Sequence, residues 1–227
     1  MIANIKYRIY TGLVFYIYFG YVFIASSCYN KENGGGLMKR TTITTRKLVM
    51  TAMLAALVAA SSAIRIEVPA DITGTSSFHL GNILCALSGI LLGPWLGGLA
   101  AGLGSALFDV FDPLYISECW LTFLTKAVYG LFAGAIAWQG RKAWCGSFGK
   151  AFLGAVAGAV GYGLIYLAKT FFYSGLLIQG LQPAAAWLAV ITKVPATVFN
   201  AVVAIIGAPI LAMAIYKALD KAHLKID

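Results

Sequence analysis

Residues 78–138 read FHLGNILCALSGILLGPWLGGLAAGLGSALFDVFDPLYISECWLTFLTKAVYGLFAGAIAW. Three apolar segments follow one another here with very short connectors, Gly93-Pro94-Trp95 and Asp112-Pro113-Leu114. Each segment is close to the roughly 20 residues that a helix needs to cross a hydrocarbon core. Their faces are rich in Gly and Ala, as in the run Gly97-Gly98-Leu99-Ala100-Ala101-Gly102-Leu103-Gly104. Such small residues let helix backbones approach closely in lipid. At one end stand Asp109, Asp112 and Glu118, and Lys126 lies inside the third segment. Ionisable groups at membrane depth are costly and by default mark a functional site. The stretch therefore predicts a tightly packed membrane bundle with a polar pocket near one face.

The whole chain has the same character. Of its 227 residues, 60% are hydrophobic and 11% charged, against roughly 25% charged in a soluble domain. Mean hydropathy is +0.83. The net charge of +9 comes from cations that flank apolar runs, the arrangement of topology signals and not of a nucleic-acid surface. Cys28, Cys85, Cys119 and Cys145 are scattered without a CxxC, and His79 and His223 are far apart. Neither a disulfide framework nor a metal site is expected, and no cofactor is expected either.

Residues 1–37 stand apart. Tyr10–Ser26 is apolar and aromatic, and Asn30-Lys-Glu-Asn-Gly-Gly-Gly-Leu37 precedes Met38-Lys39-Arg40. Lys, Glu and Gly are what a purine-rich ribosome-binding sequence encodes when it is read as codons. This segment reads as upstream sequence ahead of a start at Met38; the alternative is one extra helix. From Met38 the pattern predicts an all-α integral membrane protein, a compact bundle of six transmembrane helices spanning 38–227. The helices fall at about 48–64, 79–92, 96–111, 117–138, 151–178 and 185–216. The polar loop 65–77, with Pro69 and Gly74, predicts an irregular or extended path.

Charge sets the orientation. Lys39, Arg40, Arg46, Lys47, Arg141, Lys142, Lys150, Lys217, Lys221 and Lys225 all fall on one side of a six-helix path; Arg65 alone falls on the other, with Glu67, Asp71, Asp112 and Glu118. By the positive-inside rule the Met38 end and the C-terminus are cytoplasmic.

Helical spacing shows which polar groups share a face. Glu118, Thr122, Thr125, Lys126 and Tyr129 form one stripe, Tyr162, Tyr166, Lys169 and Tyr173 a second, and Lys193, Thr197 and Asn200 a third. Ser105 and Asp109 lie one turn apart on the neighbouring segment. Such stripes should face one another, with Trp120, His79 and Asn82 as further candidate ligand contacts. Two readings stay open for several of them. Lys169 and Lys193 either line a pocket or snorkel to the interface; the tyrosines are pocket walls or an interfacial belt; Asp109 meets a ligand or pairs with Lys126. No spaced nucleophile and base and no GxSxG or HExxH occur, so no catalytic residue is assigned. On the first helix, Ala52, Ala56 and Ala60 form one smooth stripe and Ala55, Ala59 and Ala63 another. They suit either packing within the chain or a sliding surface for a partner subunit.

In order and spacing, several features from Met38 onward resemble the S component, the substrate-binding membrane subunit, of an energy-coupling factor (ECF) transporter of the riboflavin-type or general S-component families. They are the basic start with its Ala-rich helix, Phe78-His79-Leu80-Gly81-Asn82, Gly93-Pro94-Trp95-Leu96-Gly97, GLGSALFD at 102–109 and TFLTKAVYG at 122–130. The resemblance implies a bundle in a bacterial plasma membrane whose outer face closes over one vitamin or related small metabolite. It also implies that the helix-1 alanines dock on a T subunit, and that two cytoplasmic ATPase subunits drive toppling of the bundle. It implies no ATP site in the chain itself, in line with the lack of GxxxxGK[ST]. Pyridoxine-like, pyrimidine, pantothenate and flavin ligands all remain open. The competing readings are a non-transport membrane protein, as an assembly factor or an enzyme using Asp109 and Lys126, and a self-sufficient secondary carrier. Carriers are usually built from internal repeats, and none is visible here.

Overall fold

The computed structural model describes residues 45–71, 74–113, 115–139, 144 and 146–222, with backbone alone at 67–71 and 74–76. Residues 1–37, and with them the question of an extra helix or a start at Met38, lie outside the described residues. So do His223, Cys28 and Cys145.

The chain folds as helix α1 (Thr45–Ser62), strands β1 (Arg65–Asp71) and β2 (Gly74–His79), and helix α2 (Gly81–Val110). A 3-10 turn (Ile116–Glu118) then leads into α3 (Cys119–Ala137), followed by α4 (Phe148–Lys169) with a π-wound continuation (Thr170–Ile178), and α5 (Pro183–Lys221). Among the described residues, four helical stretches are long and apolar enough to cross a membrane: Gly81–Val110, Ile116–Ala137, Phe148–Ile178 and Pro183–Lys221.

The first of these is folded on itself. At Gly93 the backbone turns to φ 82°, ψ −178°, a conformation open essentially to Gly alone. Pro94 follows and restarts the helix. The limbs 81–92 and 94–110 then run back along each other: a Cβ on Gly97 would lie 2.5 Å from the Gly89 Cα, and Ser88 Oγ donates to the Gly97 carbonyl at 2.9 Å. The Trp138 indole N–H donates to the Ile90 carbonyl at 2.9 Å and covers this turn.

The α2 hairpin is the centre of the bundle, touching α1, α3, α4 and α5. Its crossing with α3 is made by glycine against glycine. A Cβ on Gly89 would sit 2.3 Å from the Gly130 carbonyl oxygen, and one on Gly130 would sit 2.6 Å from the Gly97 oxygen. Backbones at that distance gain dispersion contacts that no larger residue permits. A single added methyl must push them apart. Gly89→Ala should lower stability by about 1–3 kcal/mol, the usual cost of overpacking, read as a fall in melting temperature in detergent; an unchanged melting temperature would contradict this crossing.

The stretch 65–79 departs from the expected loop. It is a two-stranded antiparallel hairpin with Arg65 opposite His79 and Ile66 opposite Phe78, irregular between Pro69 and Asp71. His79 accordingly ends β2 and does not begin a helix. The alanine stripes also separate. Ala59 is buried and the Ala55 carbonyl abuts Gly104 of α2, so this pair packs inside the chain. Ala52 and Ala60 are exposed beside Met53 and Leu57, with Ala56 between them.

Candidate functional site

A cavity of about 320 Å³ opens at one end of the bundle. It lies among the C-terminal half of α4, the N-terminal half of α5, the start of α3, the end of α2 and the β-hairpin. The stripes expected from spacing converge on it. Glu118, Thr122 and Lys126 line one wall, Tyr162, Tyr166 and Lys169 the next, and Lys193, Thr197 and Asn200 a third, with Asp109 and His79 between them.

Three candidates lie elsewhere. Trp120 is 52% exposed and meets Tyr173 edge-on at 5.9 Å. It stands two residues from both Glu118 and Thr122, so a helical step of about 100° per residue turns it to the opposite side. Tyr129 is fully buried behind Tyr162, with ring centroids 5.4 Å apart and planes 18° apart. Asn82, also buried, supports Lys126 from behind the wall: the Lys126 ammonium donates to its Oδ1. That ammonium also lies 4.3 Å over the Tyr162 ring. Lys126 is therefore held by a neutral amide and a π-face and forms no ion pair with Asp109, whose carboxylate takes a hydrogen bond from Thr122 instead.

Two further cations in the wall have carboxylate partners. Lys169 pairs with Glu118 at 2.5 Å, tying α4 to the start of α3. Arg65 pairs with Asp112 at 3.3 Å and stacks over the Phe108 and Tyr115 rings at 4.3 and 4.7 Å. The hairpin is thereby fastened at its first residue. At its other end Asn200 of α5 fastens it again. The Asn200 Oδ1 accepts from the His79 backbone N–H at 3.1 Å, and its Nδ2 donates to the Ser77 carbonyl at 2.8 Å. Phe78 meets Phe199 edge-on at 5.2 Å alongside. Asn200, expected as a ligand contact, thus uses its amide on the hairpin backbone.

Spacing did not point to Ser62, Arg65, Ser77, Phe108, Tyr115, Thr170 and Ser174 as lining residues. Arg65 read as a topology signal, and nothing in the loop announced strand pairing. Thr170 stands one ordinary α turn beyond Tyr166, to whose carbonyl its hydroxyl donates, and Ser174 follows where the helix winds as π. The wider turn brings residue 174 round to the cavity, and Tyr173 meets Trp120 edge-on.

His79 lines the cavity, and its Nδ1 is buried without a hydrogen-bond partner. Burial first, then the charges of Lys126 and Arg65, hold its pKa well below the ordinary value. The sign follows. Above about pH 6.5 the imidazole is neutral in both folded and unfolded chains; below it the unfolded chain takes up a proton that the folded chain refuses. Stability should fall as pH drops from 7 to 5, by up to about 1.4 kcal/mol per pH unit from this group. His79→Gln should flatten that slope in melting curves, and equal slopes in both proteins would contradict the assignment.

A helical membrane bundle with one β-hairpin, holding a polar, aromatic cavity at one end, defines the class: a membrane protein with a cavity of small-molecule size. A sequence model described as "ECF-type riboflavin transporter, S component" matches residues 42–217. The chain belongs to that family of transporter components. It is also 31% identical, over 112 residues, to an "Uncharacterized protein in gap 3′ region" of Pyrococcus woesei, a match covering 49% of this chain and 69% of that protein.

Proposed function

We propose that this chain is the substrate-capturing subunit of an ATP-driven ECF importer. It takes a vitamin or related small metabolite at the outer face and delivers it together with a T subunit and two cytoplasmic ATPases. The bundle would cross the membrane six times, with the two limbs of α2 as separate passes.

The observation that carries this reading is the place of the cavity. Its lysines sit near the C-terminal end of α4 and the N-terminal end of α5. The basic residues Lys150, Lys217 and Lys221 sit at the opposite ends of the same helices. From Lys193 to Lys217 is about 36 Å at roughly 1.5 Å per residue, a full membrane thickness. If the basic end faces the cytoplasm, the cavity faces outward, as capture from outside demands. A family built around riboflavin transport supports a ring-bearing ligand, and the stacked Tyr162–Tyr166 pair, 5.6 Å apart at 24°, supplies aromatic wall for one.

Orientation is checked by cysteine labelling in a background without native cysteines. Gly149, where an added Cβ meets nothing within 4 Å, suits the cytoplasmic reporter, and exposed Ala184 suits the outer one. Labelling of Gly149→Cys from outside would invert the assignment. The function itself is tested by native mass spectrometry of the full chain released from its membrane. The expected result is a mass excess of one small molecule per chain. A bare chain whose melting temperature responds to no vitamin would contradict capture.

A further inference from the structure

The cavity's charge points to the kind of molecule it holds, on the reading that it is the substrate site. Four cations stand in or on its wall, Arg65, Lys126, Lys169 and Lys193, and three carboxylates stand with them, Asp109, Glu118 and Asp112. Arg65 and Lys169 spend their charges on Asp112 and Glu118. Lys126 differs. It is 6% exposed, and the Asn82 amide and the Tyr162 ring that hold its ammonium carry no charge. Asp109 is turned to Thr122. An ammonium has three donors, and Lys126 lines the cavity. Asp109 acts on this ammonium through space without pairing with it. A buried charge that lacks a close counter-ion is costly, and Lys126 lines a cavity where a ligand can supply the opposite charge.

We infer that the substrate is a planar-ring metabolite bearing an anionic group, a carboxylate or phosphate, and that Lys126 receives that group. The Tyr162–Tyr166 stack lies beside Lys126 on the cavity wall, so the ring lies along the tyrosines while the anion reaches the ammonium. Asn82, from behind, fixes the ammonium's direction. A volume of about 320 Å³ lies at the small end of the range for ligand pockets.

The test uses pairs of compounds that share a ring and differ in charge: nicotinate and nicotinamide, orotate and uracil, riboflavin 5′-phosphate and riboflavin. Affinities are measured by titration calorimetry on the full chain in lipid nanodiscs. In any pair that binds, the anionic member should bind about 30-fold or more tighter, as expected when a buried charge gains its partner. Lys126→Met should abolish that preference. The wild-type comparison decides the matter by itself if the variant does not fold. Equal affinities, or preference for the neutral member, would overturn the anion while leaving the cavity a ligand site; that is the result a neutral Lys126 amine would give. Binding of no member of any pair by the folded protein would overturn the substrate site and this inference together.

Discussion

Ala56→Trp will reduce uptake to background while leaving ligand affinity of the isolated subunit unchanged. Ala56 lies between exposed Ala52 and Ala60 on the outer side of α1, next to exposed Met53 and Leu57. A partner helix can approach this stripe closely because nothing larger than a methyl stands on it. An indole there blocks the approach without entering the bundle. Ala59 is the control. It is 3% exposed, so Ala59→Trp must overpack the contact with α2 and lower stability and uptake together. Uptake in cells and affinity of the purified subunit are measured for both variants. Loss of affinity with Ala56→Trp would place that residue in the internal packing and remove the docking surface.

Asn200→Ala will loosen the β-hairpin and speed ligand release. The substitution leaves the His79 N–H and the Ser77 carbonyl without the partners they have in the folded protein. Each orphaned group costs about 1–3 kcal/mol if it stays buried, so the hairpin edge lifts to reach water instead. Ser77 and His79 line the cavity, and a lifted wall opens an exit. Ligand dissociation should accelerate about tenfold or more, since each 1.4 kcal/mol is a factor of ten. Amide exchange at residues 77–79 should accelerate in the ligand-free protein as well, and that second result separates a hook from a ligand contact. Unchanged exchange beside faster release would mean that Asn200 touches the ligand directly.

Hydropathy and charge made the membrane class legible, because a bilayer imposes long apolar runs and a cation asymmetry that survive in one dimension. Regular helical spacing likewise brought Lys126, Tyr166, Lys169 and Lys193 to one cavity. Legibility stopped where regular geometry stopped. The pairing of 65–71 with 74–79 depends on tertiary support from Asn200 and Phe199, more than 120 residues away, and short polar strands carry no periodic signal. The π winding from Thr170 changes the period itself, so regular spacing does not point to Ser174, and Tyr173, open between pocket wall and interfacial belt, stands against Trp120. Asn82 and Lys126 were both singled out, but their mutual contact joins residues 44 apart. Opposite charge suggested Asp109 as the partner of Lys126, and the folded chain chose a neutral amide. Spacing likewise drew two alanine stripes on α1 as equals; only packing against Gly104 shows that Ala55 and Ala59 face inward.

Purification of the full chain from its native membrane, with the stoichiometry of what accompanies it, tests the central claim most directly. The account predicts one copy of this chain with one further helical membrane subunit and two ATPase chains, an assembly that Ala56→Trp dissociates and that takes up ligand in vesicles only when ATP is supplied. The contradicting result is this chain alone driving uptake in vesicles that contain no ATPase, which would make it a self-sufficient carrier.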